Sequence, residues 1–120
     1  MVPEIKSQSL IDGGPLESYE PENLENFRLT LRLMIGPRGQ PGEESFDITI
    51  CTPQALAEEC AADGFVVGRH RLVVASWNPS MIMRVLGKLI SHCDSETWPE
   101  VGAKIARLAL WEFEDYRSPE

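Results

Sequence analysis

Two side chains in this sequence are considered first for the parts of a covalent mechanism. His70, within Gly68-Arg-His-Arg71, has the chemistry of a general base, and Cys51 that of a nucleophile. Nothing in the sequence brings them together, so a solvated or capping His70 and a buried, inert Cys51 are the plainer roles. A small hydrolase or transferase using His70 would require an enclosed pocket in which His70 faces a second polar group. Other chemical signatures are missing: the sequence has no G-x-S-x-G elbow, no H-E-x-x-H and no P-loop. Gly36 to Gly42 is rich in glycine but lacks the Lys-Ser/Thr pair and leads into a strand, which does not suit a phosphate cradle. Cys51, Cys60 and Cys93 form no C-x-x-C pair, and His92 beside Cys93 is too little for a metal site. Glu112, Glu114 and Asp115 offer oxygens to a cation, but neighbouring acids alternate sides along an extended chain. No catalytic, cofactor-binding or metal-ligating residue is assigned, and no cofactor is expected.

Recognition of another protein suits these residues better. Nineteen acidic against eleven basic residues leave a formal net charge of −8. That balance argues against nucleic acid and anionic membranes as partners and favours a basic protein, whose encounter a complementary field accelerates. The acids are grouped in an N-terminal stretch (Asp12, Glu17, Glu20, Glu22 and Glu25), at Glu43-Glu44 and in the tail Trp111-Glu-Phe-Glu-Asp-Tyr116. Candidate partner-binding residues are Arg38, Glu43 and Glu44 in a long connection, with Glu112, Glu114, Asp115 and Tyr116 in the tail. The plainer alternatives are a solvated connection and a tail that packs its aromatic rings on the core.

The elements that must position these groups are legible from periodicity. Ile5 to Ile11 suits a short strand, and Asp12 to Asn26 reads as loop. Phe27, Leu29, Leu31, Leu33 and Ile35 alternate with polar neighbours, as in a half-buried strand, and Ser45 to Cys51 repeats the pattern. These two strands pair antiparallel through the connection Gly36–Glu44. Thr52-Pro53 opens a helix that reaches about Ala62, with Gly64 as its stop. Arg71 to Trp77 is extended, and Asn78-Pro79 opens a second helix that runs to about Ser91. Thr97-Trp98-Pro99-Glu100 is a capping box for a third helix, expected to end near Leu110. Its small residues Gly102, Ala106 and Ala109 would admit another helix at close range. Continuing that helix would place Glu112 in its apolar stripe, so Trp111 onward is expected to be extended.

The resulting expectation is one α+β domain over residues 1–120. It is two-layered, with a mainly antiparallel four- or five-stranded sheet and about three helices on one face. Residues 1–26 are partly irregular, and 111–120 form an extended tail. The unpaired thiols and the lack of an apolar leader or membrane-length stretch point to the cytoplasm.

Four segments together resemble the bacterial polymorphic-toxin family Immunity protein 8. They are Ile35-Gly-Pro-Arg-Gly-Gln-Pro-Gly-Glu-Glu-Ser-Phe-Asp47, Cys51-Thr-Pro53, Gly68-Arg-His70 and Trp111-Glu-Phe-Glu-Asp-Tyr116. Ala55 departs from the large aromatic residue found there in many relatives, which bears on local packing or partner choice at the first helix. The resemblance implies an α+β protein made beside a toxin, which protects the producing cell by binding it. It supplies no catalytic residues. The leading expectation is therefore an immunity protein that neutralises a cognate, basic toxin domain by protein–protein inhibition. A general adaptor or regulatory module without a toxin is the alternative, and a His70-dependent enzyme is the third.

Overall fold

The computed structural model describes residues 1–113. In chain order it contains β1 (Pro3–Leu10), a short 3-10 turn (Leu16–Ser18), β2 (Arg28–Pro37), β3 (Glu44–Cys51), α1 (Pro53–Asp63), β4 (Arg71–Val73), α2 (Pro79–Ser91), α3 (Trp98–Ile105) and β5 (Leu110–Trp111). The sheet order is β1-β2-β3-β4, with β5 also on β3. The architecture is the expected α+β one.

β2 and β3 pair antiparallel without interruption from Arg28↔Cys51 to Ile35↔Glu44, so their alternating apolar residues stand on one face. Leu31, Leu33, Ile35, Phe46 and Ile50 are fully buried there. β1 pairs antiparallel with β2 and carries a bulge between Ile5 and Ser7. The far side of β3 is shared. β4 runs parallel to it at Thr49↔Arg71, Ile50↔Leu72 and Cys51↔Val73, while β5 runs antiparallel at Phe46↔Trp111 and Asp47↔Leu110. The parallel pairing follows from the connection, since α1 carries the chain back before β4 begins.

Helices α2 and α3 cover the apolar face. Ile82, Leu86 and Ile90, spaced by one helical turn, are buried, as are Val101 and Ile105 of α3. All three helices begin with the proline-after-cap device read from sequence. Thr52, Asn78 and Thr97 each accept a backbone N–H of their own first turn, from Ala55, Met81 and Glu100. The two-layer arrangement has one refinement. α1 contributes nothing to the main apolar cluster, and its Glu59 reaches Arg28 and Arg71 at 2.8 and 2.7 Å. By strand alternation both arginines stand on the face opposite the core, so α1 lies toward that side.

Other differences have local causes. The stretch Arg71 to Trp77 keeps only Arg71–Val73 as strand, because Trp77 turns to donate its N–H to Leu24 at 2.7 Å. Trp77 then meets Phe27 and Tyr19 edge-on at centroid distances of 5.3 and 5.5 Å. The loop between β1 and β2 contains Leu16, fully buried, whose N–H is accepted by Gln8. α3 ends at Ile105 rather than near Leu110.

Candidate partner-binding surface

The connection and the tail lie far apart in sequence but meet at one end of the sheet. β2 extends to Pro37 and β3 begins at Glu44, which shortens the connection to Arg38–Glu43. Gly36 is needed at its base, because a Cβ there would stand 1.9 Å from the Gly42 carbonyl oxygen. The Lys6 ammonium donates to the Gln40 carbonyl, and the Arg38 N–H donates to Val2 at 2.8 Å. The Arg38 guanidinium is exposed and sits 4.0 Å from Glu4, a solvent-screened contact of little energetic weight.

β5 brings the start of the tail, residues 111–113, to the same place. The Glu112 N–H donates to the Ser45 carbonyl at 3.1 Å, and the Glu112 carboxylate accepts the Ser45 N–H at 2.7 Å. Glu44, next in the chain, accepts from two indoles. Trp98 Nε1 donates to its Oε1, and Trp111 Nε1 donates to its Oε2 at 2.9 Å. The Trp111 ring stacks on Phe46 at 5.9 Å with planes 10° apart, and Phe113 meets Trp111 edge-on at 6.0 Å. A carboxylate at the start of β3 thus ties α3 to β5.

The close approach expected at Gly102 is real, but a ring makes it rather than a helix. A Cβ on Gly102 would stand 2.6 Å from the Trp111 indole. This explains the early end of α3. Once Trp111 must lie over Gly102 and pair with Phe46, the intervening residues have to leave the helix and turn back.

Of the candidate residues, Arg38, Glu43, Glu44 and Glu112 are brought to this end, and Glu114, Asp115 and Tyr116 lie outside the described residues. Glu43 is exposed beside a hollow of about 310 Å³ whose walls are Pro37, Pro41, Gly42, Glu44 and Trp98. Sequence reasoning missed Trp98 and Phe113 as surface components. The sequence places Trp98 only within a capping box, although a half-buried indole beside a proline-rich turn suits a binding hollow equally well.

The charges on the sheet itself are largely engaged. Arg32 makes a two-pronged contact with Asp47 at 2.9 and 3.0 Å, which raises the guanidinium pKa above its ordinary value through that hydrogen bond. Arg71 is raised likewise, chiefly by its hydrogen bond to Glu59. At the start of α3 the Glu100 carboxyl lies below its ordinary range, because the Ser95 and Thr97 hydroxyls donate to it.

Cys51 and His70 are not brought together. The Cys51 sulfur faces Arg71 Nη1 at 4.0 Å, on the side of the sheet toward α1. His70 has a φ of 60° and its Nε2 lies 2.7 Å from the Ala106 carbonyl oxygen, on the α3 side. It borders a pocket of about 200 Å³ whose inner wall is apolar, including Leu33, Ile48 and Leu86, with Arg69 and Arg107 at its margin.

A family model described as Immunity protein 8 matches residues 3–116 of the chain. Neither a curated protein nor a solved structure matches it.

Proposed function

The chain belongs to the Immunity protein 8 family, and from that premise we propose that it neutralises a cognate bacterial toxin by binding it and blocking its activity. Family membership over residues 3–116 is the observation that carries this reading. The surface chemistry supports it. A formal net charge of −8 suits a basic toxin domain, and acids from two distant segments converge where the connection meets the tail. In this reading Glu43, Glu112 and Arg38 help to guide the toxin into place, and Glu114, Asp115 and Tyr116 are proposed as further partner-binding residues. Glu44 supports it from beneath by holding Trp98 and Trp111.

We read the chain as one binding domain rather than an enzyme, since its histidine and cysteine with catalytic potential point to different sides of the sheet. No helix among the described residues is long and apolar enough to cross a membrane. The free thiols Cys51, Cys60 and Cys93 fit action in a reducing cytoplasm.

Co-expression with the toxin domain encoded beside its gene tests the proposal. The expected result is restored growth together with a complex that survives purification. Growth restored with no complex contradicts inhibition by binding. No protection at all favours an adaptor without a toxin.

A further inference from the structure

The pocket beside His70 has a chemistry opposite to that of the chain as a whole. Leu33 and Ile48 reach it from the core face of the sheet, Leu86, Leu89 and Ile90 from α2, and Leu108 from the turn after α3. Its interior is therefore aliphatic. Arg69 and Arg107 stand at its margin, both exposed, and among the described residues no Asp or Glu lines it. Nineteen acids stand against eleven bases in the sequence, so a lining with arginines and no acid runs against the composition.

The cations differ in what they can offer. Arg71 also borders the pocket, but its guanidinium is held by Glu59 at 2.7 Å, toward α1. Among the described residues no carboxylate forms an ion pair with Arg107. The wall between the two margins is fixed by His70. Its carbonyl accepts the Thr49 N–H at 3.0 Å, and its Nε2 lies 2.7 Å from the Ala106 carbonyl oxygen, which fastens this segment to β3 and to the end of α3. Among the described residues it alone, outside glycine, takes a positive φ, a conformation kept only where its surroundings enforce it. A pocket held in this way is preformed, and binding to it costs little ordering.

We propose that this pocket binds a small amphiphilic carboxylate, whose hydrocarbon part enters the aliphatic interior while its carboxylate meets Arg107 at the mouth. An interior of leucines and isoleucines gives a polar body nothing to hydrogen-bond, so the buried part of the ligand is apolar. The guanidinium offers a planar fork that matches a carboxylate, and Arg69 adds positive charge at the same margin. At about 200 Å³ the pocket is smaller than the usual ligand site of about 300–1,000 Å³, which suits a short acid rather than a long lipid chain. Such binding is independent of the toxin reading, since the pocket and the hollow at Trp98 share no lining residue.

Titration of the full chain with hexanoate, and separately with 1-hexanol, tests this by NMR of its leucine and isoleucine methyl groups. Hexanoate is expected to shift the Leu86, Leu89 and Ile90 methyls saturably, with an affinity of about millimolar for so small a ligand. The alcohol, which lacks the charge, should bind about 10-fold more weakly. Arg107→Gln should weaken hexanoate by about 10-fold and leave 1-hexanol unchanged. Leu89→Trp, at a partly exposed position on α2, should obstruct the mouth and abolish the response to both. Both substitutions lie at the surface, so thermal midpoints should stay near that of the parent. Absence of saturable shifts at these methyls overturns the site. Equal affinity for acid and alcohol, or hexanoate affinity unchanged in Arg107→Gln, overturns the carboxylate as ligand. A hexanoate response that persists in Leu89→Trp places the ligand elsewhere and likewise overturns the proposal.

Discussion

Two indole N–H groups need an acceptor where α3 meets β5, and both find it in Glu44. Leaving a shielded donor without a partner costs about 1–3 kcal/mol. Glu44→Ala is therefore expected to lower stability by about 1–3 kcal/mol in urea unfolding followed by tryptophan emission, while Glu44→Gln, which keeps one acceptor oxygen, loses less. Parent-like stability in both variants would show that the carboxylate does not tie the two elements together. From sequence, Glu44 was one acid of a charged pair in a connection, with no sign of its duty. Its partners lie 54 and 67 positions away, and a single sequence contains no record of such a contact. Leu16 was hidden for the same reason, being one of two leucines in a polar loop, and the one whose N–H Gln8 accepts as its side chain enters the core. Thr52 shows what local patterns do reveal. Thr52-Pro53 marks the start of α1 in sequence and Thr52 caps that helix, while its fully buried hydroxyl also accepts the Phe27 N–H at 3.1 Å.

At the scale of elements, α3 shows how a locally specified start meets a distantly specified end. Its capping box was legible because all its parts lie within four consecutive residues, Thr97 to Glu100. Thr97→Ala is expected to cost about 1 kcal/mol, read from chemical denaturation at neutral pH. The Glu100 side of the box carries a pH dependence. Hydroxyl donation from Ser95 and then Thr97 holds its folded pKa below the unfolded one, so its stabilisation is present above the unfolded pKa and is lost as pH falls through the folded value. Glu100→Gln should accordingly differ from the parent at neutral pH and converge with it in acid. A stability difference that is constant across that range contradicts the assignment. The stop of α3 was misplaced because it depends on Trp111 lying over Gly102 and β5 pairing with β3, and periodicity carries neither. β4 was overextended for a related reason. The run Arg71 to Trp77 has strand-like composition, but the Trp77 backbone is captured by Leu24 and its ring by Phe27 and Tyr19.

For the whole molecule, the sheet's antiparallel centre was readable because the period-two patterns of β2 and β3 allow only one face to be buried. The order of its far side was not. That β4 lies parallel to β3, with β5 beside the same strand, depends on how the α1 crossover and the α3 turn are folded. Acidity was visible from composition, but its arrangement became clear only when the connection and the tail met at one end of the sheet. The exposure of Phe65 and Val67 between α1 and β4 had no periodic signature at all. Under the proposed function, this acidic chain abolishes the activity of its toxin by occupying it. The direct measurement is a titration of the purified toxin domain with the chain while toxin activity is assayed. Activity is expected to fall to the background level at equimolar addition, with both proteins eluting as one complex. Full toxin activity in the presence of excess chain would contradict it.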